Sequence, residues 1–191
     1  MAEFSLTAEP ALGGYARRFG AVTLTEAVAL TIVSVAIPVG AEAKAAKAAQ
    51  AVDASFGVAP PPVGTSVQSR DGARLIRLGA DLMFVLFEHP SPGAGAVVAG
   101  KLGDAAYTTD QTDVWVGLEI AGPGSRTALE RICPLDLHPD AFAEADAAQT
   151  VMEHLGAVIL RTGADAFLLL SMRSSAASFL HAVEVSLHHT A

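Results

Sequence analysis

Hydrophobic and polar positions alternate between two rhythms along the chain. Val28 to Ile37 is β-branched and apolar on both faces, which predicts a buried strand ended by Gly40. Glu42 to Ala54 is rich in Ala, Lys and Gln and predicts a helix. Gly57 and Pro60-Pro61-Pro62 break it into a loop. Short strands are expected at Thr65–Ser69, Ala73–Leu78 and Leu82–Phe87, the first two joined at the tight-turn pair Asp71-Gly72. A helix from Ala94 to Leu102 follows Pro90 and Pro92. Asp113 to Ala121 alternates and stops at Gly122-Pro123-Gly124, and Ser125 is placed to N-cap a helix through Ile132. Pro134 and Pro139 frame a loop, and Gln149–Glu153, Ala157–Arg161 and Asp165–Leu170 read as strands. Ser174 or Ser175 caps a last helix to about Leu187, with Ala177, Leu180, Val183 and Leu187 on one face.

The chain is also written twice. Ala73 to Phe87 reads ARLIRLGADLMFVLF, and AVILRTGADAFLLLS begins 84 positions later at Ala157. Arg77 falls on Arg161, and Gly79-Ala80-Asp81 falls on Gly163-Ala164-Asp165. A repeat this long predicts two similar modules stacked in one domain, with a pseudo-two-fold axis, rather than a solenoid of many short units. Each module reads strand, helix, antiparallel strands, helix, which is an α+β arrangement with helices on one face of a sheet. The expected division is a single domain over 1–191, with an N-terminal arm 1–26, a first half 27–104 and a second half 105–191. The repeated turns join antiparallel strands, and their aspartates are expected to bond the local backbone.

Composition narrows the partners. At 191 residues the chain is one domain by size and can bury a sizeable core. The apolar fraction is 51 %, which points to a protein–protein surface, although abundant alanine inflates it. The apolar run Val28–Val39 contains Thr31, Ser34 and Pro38 and falls short of the ~20 residues a membrane span needs. The start, with an early Glu3 and no basic stretch, is unlike a secretory signal, and a single Cys133 fits a reducing compartment, so a cytoplasmic location is expected. A formal charge of −8 with few lysines argues against nucleic acid.

Candidate chemistry is sparse. Gly93-Ala94-Gly95 followed by Gly100 fails the dinucleotide-loop spacing and reads as a loop-to-helix turn. Gly122 to Arg126 admits an anion at a helix N-terminus, but a tight turn with an N-cap fits better. Among the histidines His89, His138, His154, His181, His188 and His189, no pair has metal-ligand spacing. His181 is expected to be a partly buried packing residue, and His188-His189 to favour the helix dipole or fray. Cys133 with His138 is the only thiol–imidazole pairing, and a buried inert cysteine is the default. Asp136, Asp140, Glu144 and Asp146 form an acidic loop. Arg173, after a strand and before the last helix, is placed to meet either a partner's carboxylate or an internal acid. Arg17 and Arg18 form a basic pair in the arm and join Arg173 as possible partner contacts.

Two segments carry a resemblance. ERICPLDLHPDAF, Glu130 to Phe142, and LLLSMRSSAASFLHAVEVS, Leu168 to Ser186, resemble the gamma-subunit family of heterotetrameric sarcosine oxidase. The order also fits: a helix running into P-L-D-L-H-P, an I-L-R-x-G-x-D hairpin, then R-S and a helix. The resemblance implies a fold similar to the folate-binding domain of the glycine-cleavage T-protein, built of two ferredoxin-like halves, in agreement with the repeat. It implies a non-catalytic structural subunit with alpha, beta and delta subunits as partners. The complex would oxidatively demethylate sarcosine to glycine, pass the one-carbon unit to tetrahydrofolate and release hydrogen peroxide. Flavins, NAD and zinc are implied for the other subunits and no cofactor for this chain. The rival is a stand-alone folate-binding protein of the same fold, for which Asp113, Glu119 and Asp136 are the nominated carboxylates.

Overall fold

The computed structural model describes residues 8–89 and 93–190, so the first seven residues of the expected arm and the prolines Pro90 and Pro92 lie outside the described residues. The chain runs β1 (Ala16–Phe19), β2 (Val22–Glu26), β3 (Leu30–Ala36), α1 (Glu42–Phe56), β4 (Thr65–Gln68), β5 (Arg74–Arg77), β6 (Leu82–Glu88) and α2 (Ala94–Leu102). It continues with β7 (Tyr107–Asp110), β8 (Trp115–Ala121), α3 (Ser125–Glu130), β9 (Ala147–Met152), β10 (Leu155–Gly163), β11 (Ala166–Met172) and α4 (Ala176–His188). The strands form two sheets, one in the order β1-β2-β8-β11-β10-β9 and one in the order β4-β5-β6-β3-β7. Every strand pairing is antiparallel, so the fold is a mixed α+β arrangement with two antiparallel sheets.

Strand period two explains the layering, because successive side chains point to opposite faces. Val33 and Val35 of β3, Leu75 of β5 and Met83 and Val85 of β6 pack against Val52 and Phe56 of α1 and Val98 and Leu102 of α2. The alternate positions Ile32, Ile76, Phe84 and Leu86 pack against Val158, Leu160, Leu168 and Leu170 of the other sheet. The far face of that second sheet presents Leu118, Ile120, Ile159, Phe167 and Leu169 to Leu129 of α3 and Phe179 and Val183 of α4. The molecule is therefore four layers deep, with helices outside and two sheets face to face. Central strands buried on both faces have to be apolar throughout, which is why they read as continuous runs. The sheets are also stitched at one corner: Ser66 N–H donates to Ala145 O (2.7 Å) and Ala147 N–H to Gly64 O (2.8 Å).

Four expectations change. Within the expected N-terminal arm, residues 16–26 form a hairpin whose β2 pairs with β8. The V-T-L-T-E alternation buries Val22 and Leu24 while its threonines and Glu26 stay partly exposed, a strand signal that was present in the sequence. β7 lies beyond residue 104, in the stretch expected to belong to the second half, and pairs with β3 in the first sheet. Ser125 does not cap α3; Gly124 holds the cap position, and the Ser125 hydroxyl, fully buried in the first turn, donates to Gly122 O (2.7 Å). α4 starts at Ala176 with Ser175, one of the two nominated serines, at its N-cap position after the tight 3₁₀ turn Arg173–Ser175, but it buries Ala176 and Phe179 where Ala177 and Leu180 were expected to lead.

The repeated turns use arginine where aspartate was expected. Arg77 Nε donates to Gly79 O (2.7 Å) and its Nη2 to Ala80 O. Arg161 Nε donates to Gly163 O (3.1 Å) and its Nη2 to Ala164 O (2.8 Å). Asp81 and Asp165 point to solvent, and it is their carbonyls that accept, from Ile37 N (2.8 Å) and Gly122 N (2.9 Å) respectively. A guanidinium has five donors in a fixed fork, so one side chain closes a whole turn that a short carboxylate, an acceptor only, cannot.

Candidate interface and cleft

Arg17 extends from the edge strand β1 and meets Glu184 of α4 (2.9 Å), with its guanidinium 5.4 Å from the Phe19 ring centre. Tyr15 donates its hydroxyl to the same carboxylate (2.5 Å). Burial and the adjacent Glu184 push the Tyr15 phenol up to about 12, so it stays a donor. Arg18, next on the strand, is exposed, and its side chain makes no hydrogen bond or ion pair among the described residues. Arg173 meets no internal acid among the described residues; its Nη2 donates to the backbone carbonyl of Glu9 (2.6 Å) and ties the chain before β1 to the end of β11. The three arginines are thus divided, with Arg17 and Arg173 holding the N-terminal segment down and Arg18 facing out.

The thiol–imidazole pairing does not form. Cys133 is buried with its Sγ 3.8 Å from Thr150 Oγ1. His138 is exposed, and its Nδ1 accepts the Asp140 N–H (3.3 Å) and sits 3.6 Å from the Asp140 carboxylate. Among the described residues, no group of three or more His, Cys, Asp or Glu side chains is arranged to hold a metal ion. His181 is exposed rather than a packing residue, because the buried stripe of α4 runs through Phe179 and Val183. His189 Nδ1 lies 2.7 Å from Val185 O at the helix end, and His188 packs edge-on against Phe19 (5.0 Å). The helix start at Gly93 to Gly95 already holds an anion of the chain itself. Asp110 Oδ2 accepts the Gly95 N–H (3.2 Å), and a Cβ at Gly95 would come 3.2 Å from Asp110 Cβ. Burial opposes ionisation of Asp110, but the N–H groups of Thr112 and Gly95 outweigh it and hold the carboxyl below its usual range. Gly122 has φ of 122°, and a Cβ there would lie 2.2 Å from Ala21 O, so the loop before α3 is shaped by the close β1–β2 turn.

The nominated carboxylates do not converge. Glu119 is exposed on β8, Asp136 is exposed and accepts the His138 N–H (2.9 Å), and Asp113 is exposed at the rim of a cleft. That cleft, about 550 Å³, opens where the entry to β3, the end of β6 and the start of β8 meet. The segment 8–11 forms one wall, and Leu30, His89, Trp115 and Arg173 are among the other lining residues. Trp115 stacks edge-on against Phe84 (5.6 Å). Two nitrogens, His89 Nδ1 and Trp115 Nε1, are buried without a hydrogen-bond partner among the described residues. Neither residue stands out in the sequence, since nothing local marks a histidine after one strand and a tryptophan at the start of another as neighbours in space.

No family model matches the chain. Among curated proteins, the chain is 31 % identical over 152 residues to the sarcosine oxidase subunit gamma of an Arthrobacter species, covering 79 % of this chain and 72 % of that one. It is 28 % identical to the protein of the same name from Corynebacterium sp. strain U-96, over 84 % of this chain and 77 % of that one. Among solved structures it superposes on a chain of heterotetrameric sarcosine oxidase from Corynebacterium sp. U-96 in complex with pyrrole 2-carboxylate. The TM-score is 0.78 at 24 % identity, covering 91 % of this chain and 87 % of that one. It also matches the glycine cleavage system aminomethyltransferase T from Bartonella henselae, with a TM-score of 0.61 at 17 % identity over 85 % of this chain and 45 % of that one.

Proposed function

The chain belongs to the gamma-subunit family of sarcosine oxidase, and from that premise we propose that it is a non-catalytic structural subunit of a heterotetrameric complex. The observation that carries the reading is the 31 % identity to a named gamma subunit across most of both chains. The complex oxidises sarcosine to glycine, hands the one-carbon unit to tetrahydrofolate and releases hydrogen peroxide. Its partners are the alpha, beta and delta subunits, which hold the flavins, NAD, tetrahydrofolate and zinc, and the site of action is cytoplasmic. Among the described residues, no helix is long and apolar enough to cross a membrane.

The two-module reading of the fold is supported by strand order. One sheet runs β4-β5-β6-β3-β7, and the other, read from its far edge, runs β9-β10-β11-β8-β2 before ending in β1. Each run is a ferredoxin-like half with one added edge strand. Exchange at the ends, β7 into one half and β1–β2 into the other, locks the halves together. Docking uses surface that the molecule does not spend on itself. Arg18 is one such residue, and Tyr107, 86 % exposed on the terminal strand β7, is another. Tyrosine and arginine are the side chains most often found as interface anchors.

A stand-alone folate-binding protein ranks second, because Asp113, Glu119 and Asp136 do not share a pocket. Native co-purification separates the two. A tagged chain expressed in its own host is expected to bring down larger flavin-bearing proteins and sarcosine-dependent peroxide formation. Arg18→Glu and Tyr107→Ala should each lower the yield of complex without changing the chain's own melting temperature. Recovery of a colourless lone chain would overturn the subunit reading.

A further inference from the structure

The cleft between the sheets has a chemical bias that the packing of the chain does not explain. The indole N–H can only donate, and buried donors in folded proteins are almost always met. Trp115 Nε1 and His89 Nδ1 are both unmet among the described residues, and both residues line the same cleft. Arg173 lines it too, and only its Nη2 has a partner, the Glu9 carbonyl, among the described residues. Among the described residues, none of the lining carboxylates is hydrogen-bonded to the indole N–H or to the Arg173 guanidinium. Glu26 spends one carboxylate oxygen on Leu12 N–H (2.9 Å) and the other on Gly14 N–H (2.8 Å). Glu9, Glu88 and Asp113 line the cleft as well and are exposed. Ala27, Val28 and Leu30 supply apolar lining between the polar groups. The volume, about 550 Å³, is within the usual range for small-molecule sites.

We propose that this cleft binds a small monocarboxylate, its carboxylate on the Arg173 guanidinium and its remaining acceptor atoms toward Trp115 Nε1 and His89 Nδ1. A guanidinium matches a carboxylate through two parallel N–H bonds, which favours this class over a neutral ligand. The exposed acids Glu9, Glu88 and Asp113 disfavour a polyanion and tolerate an ammonium group on the same molecule, so an amino acid fits as well as a simple carboxylate. The site is independent of the subunit reading, because every group named belongs to this chain.

Trp115 is the chain's only tryptophan, so its emission reports the cleft directly in the full chain. The purified chain is titrated with propionate, glycine, inorganic phosphate and methylammonium. A saturable change with propionate or glycine, and none with the last two, is expected. Arg173→Ala should weaken it on the order of 10- to 100-fold, the loss expected for a charge-assisted pair. Arg18→Ala, outside the cleft, should leave it unchanged. Trp115→Phe, followed by calorimetry, should weaken binding several-fold and guards against Arg173→Ala acting by loosening the segment at Glu9. Absence of saturation with both carboxylates, or equal affinity in the well-folded Arg173→Ala chain, would overturn the proposal. So would matching responses to phosphate and methylammonium.

Discussion

The hairpin closed by Arg77 and the hairpin closed by Arg161 have the same sequence plan and the same two carbonyl acceptors, yet they sit in different surroundings. Arg77 is half-buried and serves its own turn. Arg161 is only 5 % exposed and adds a third bond, from Nη1 to Phe142 O (2.6 Å), which reaches across to the loop after α3. One turn motif thus acts as a local clip in one place and as a core strut in the other. A buried guanidinium is tolerable only because each face finds an oxygen.

The largest expected effect follows from that contrast. Arg161→Ala strands three carbonyls and opens a void beside the loop that carries Leu137 and Phe142, so it should cost about 4 kcal/mol. Arg77→Ala leaves its carbonyls within reach of water and should cost about 1 kcal/mol. For a chain of this size these losses correspond to melting shifts of roughly 10 °C and roughly 3 °C. Calorimetry of the two variants side by side checks this, and equal shifts would mean that the third bond contributes nothing.

A second contrast lies where each central strand leaves its sheet. Ile37 and Gly122 each donate an N–H to the carbonyl of a repeated aspartate, Asp81 and Asp165. Ile37 keeps a side chain, buried in the core beside α1 and α2. At Gly122 the β1–β2 turn presses in, leaving no room for a methyl group. Gly122→Ala should therefore cost about 3 kcal/mol, from positive φ together with the clash at Ala21 O. Chemical denaturation is the measurement. A loss below about 1 kcal/mol would show that the β1–β2 hairpin can lift off at little cost.

These contrasts mark how far the sequence could be read. The repeat located both hairpins, and the apolar pattern most of the remaining strands to within two residues, because strands buried on both faces must be apolar and turns must carry glycine. β7 was invisible, since Y-T-T-D is short, polar and paired along one side only. β1 was hidden by its exposed Ala16, Arg17 and Arg18. The role of Arg161 was also out of reach: nothing within its own hairpin says that Phe142, 19 residues earlier, supplies the third acceptor. The cleft depended on distant pieces in the same way, joining a tryptophan, a histidine and an arginine that share no motif. What periodicity encodes is local, and what binds is non-local.

The smallest expected effect concerns the turns inside each meander. The β9–β10 turn places Glu153 and His154 at positive φ, 46° and 72°, with no side-chain clamp of its own. The β4–β5 turn is held by charge instead: the Ser69 hydroxyl donates to the Asp71 carboxylate, and Lys101 Nζ lies 3.0 Å from its other oxygen. The Ser69 bond first, and then Lys101, hold the Asp71 carboxyl down at about 2. A carboxyl depressed in the folded state stabilises fully above its unfolded value, about 3.9, and that stabilisation fades as pH falls toward the folded value. The window is therefore between about pH 4 and pH 2. Asp71 is half-exposed, so solvent screening holds the contribution below about 1 kcal/mol. Asp71→Asn should lower stability slightly at neutral pH and remove that part of the acid slope, which urea titration at stepped pH would resolve. An unchanged slope would place the chain's acid sensitivity elsewhere and leave the two meander turns equal in their response to pH.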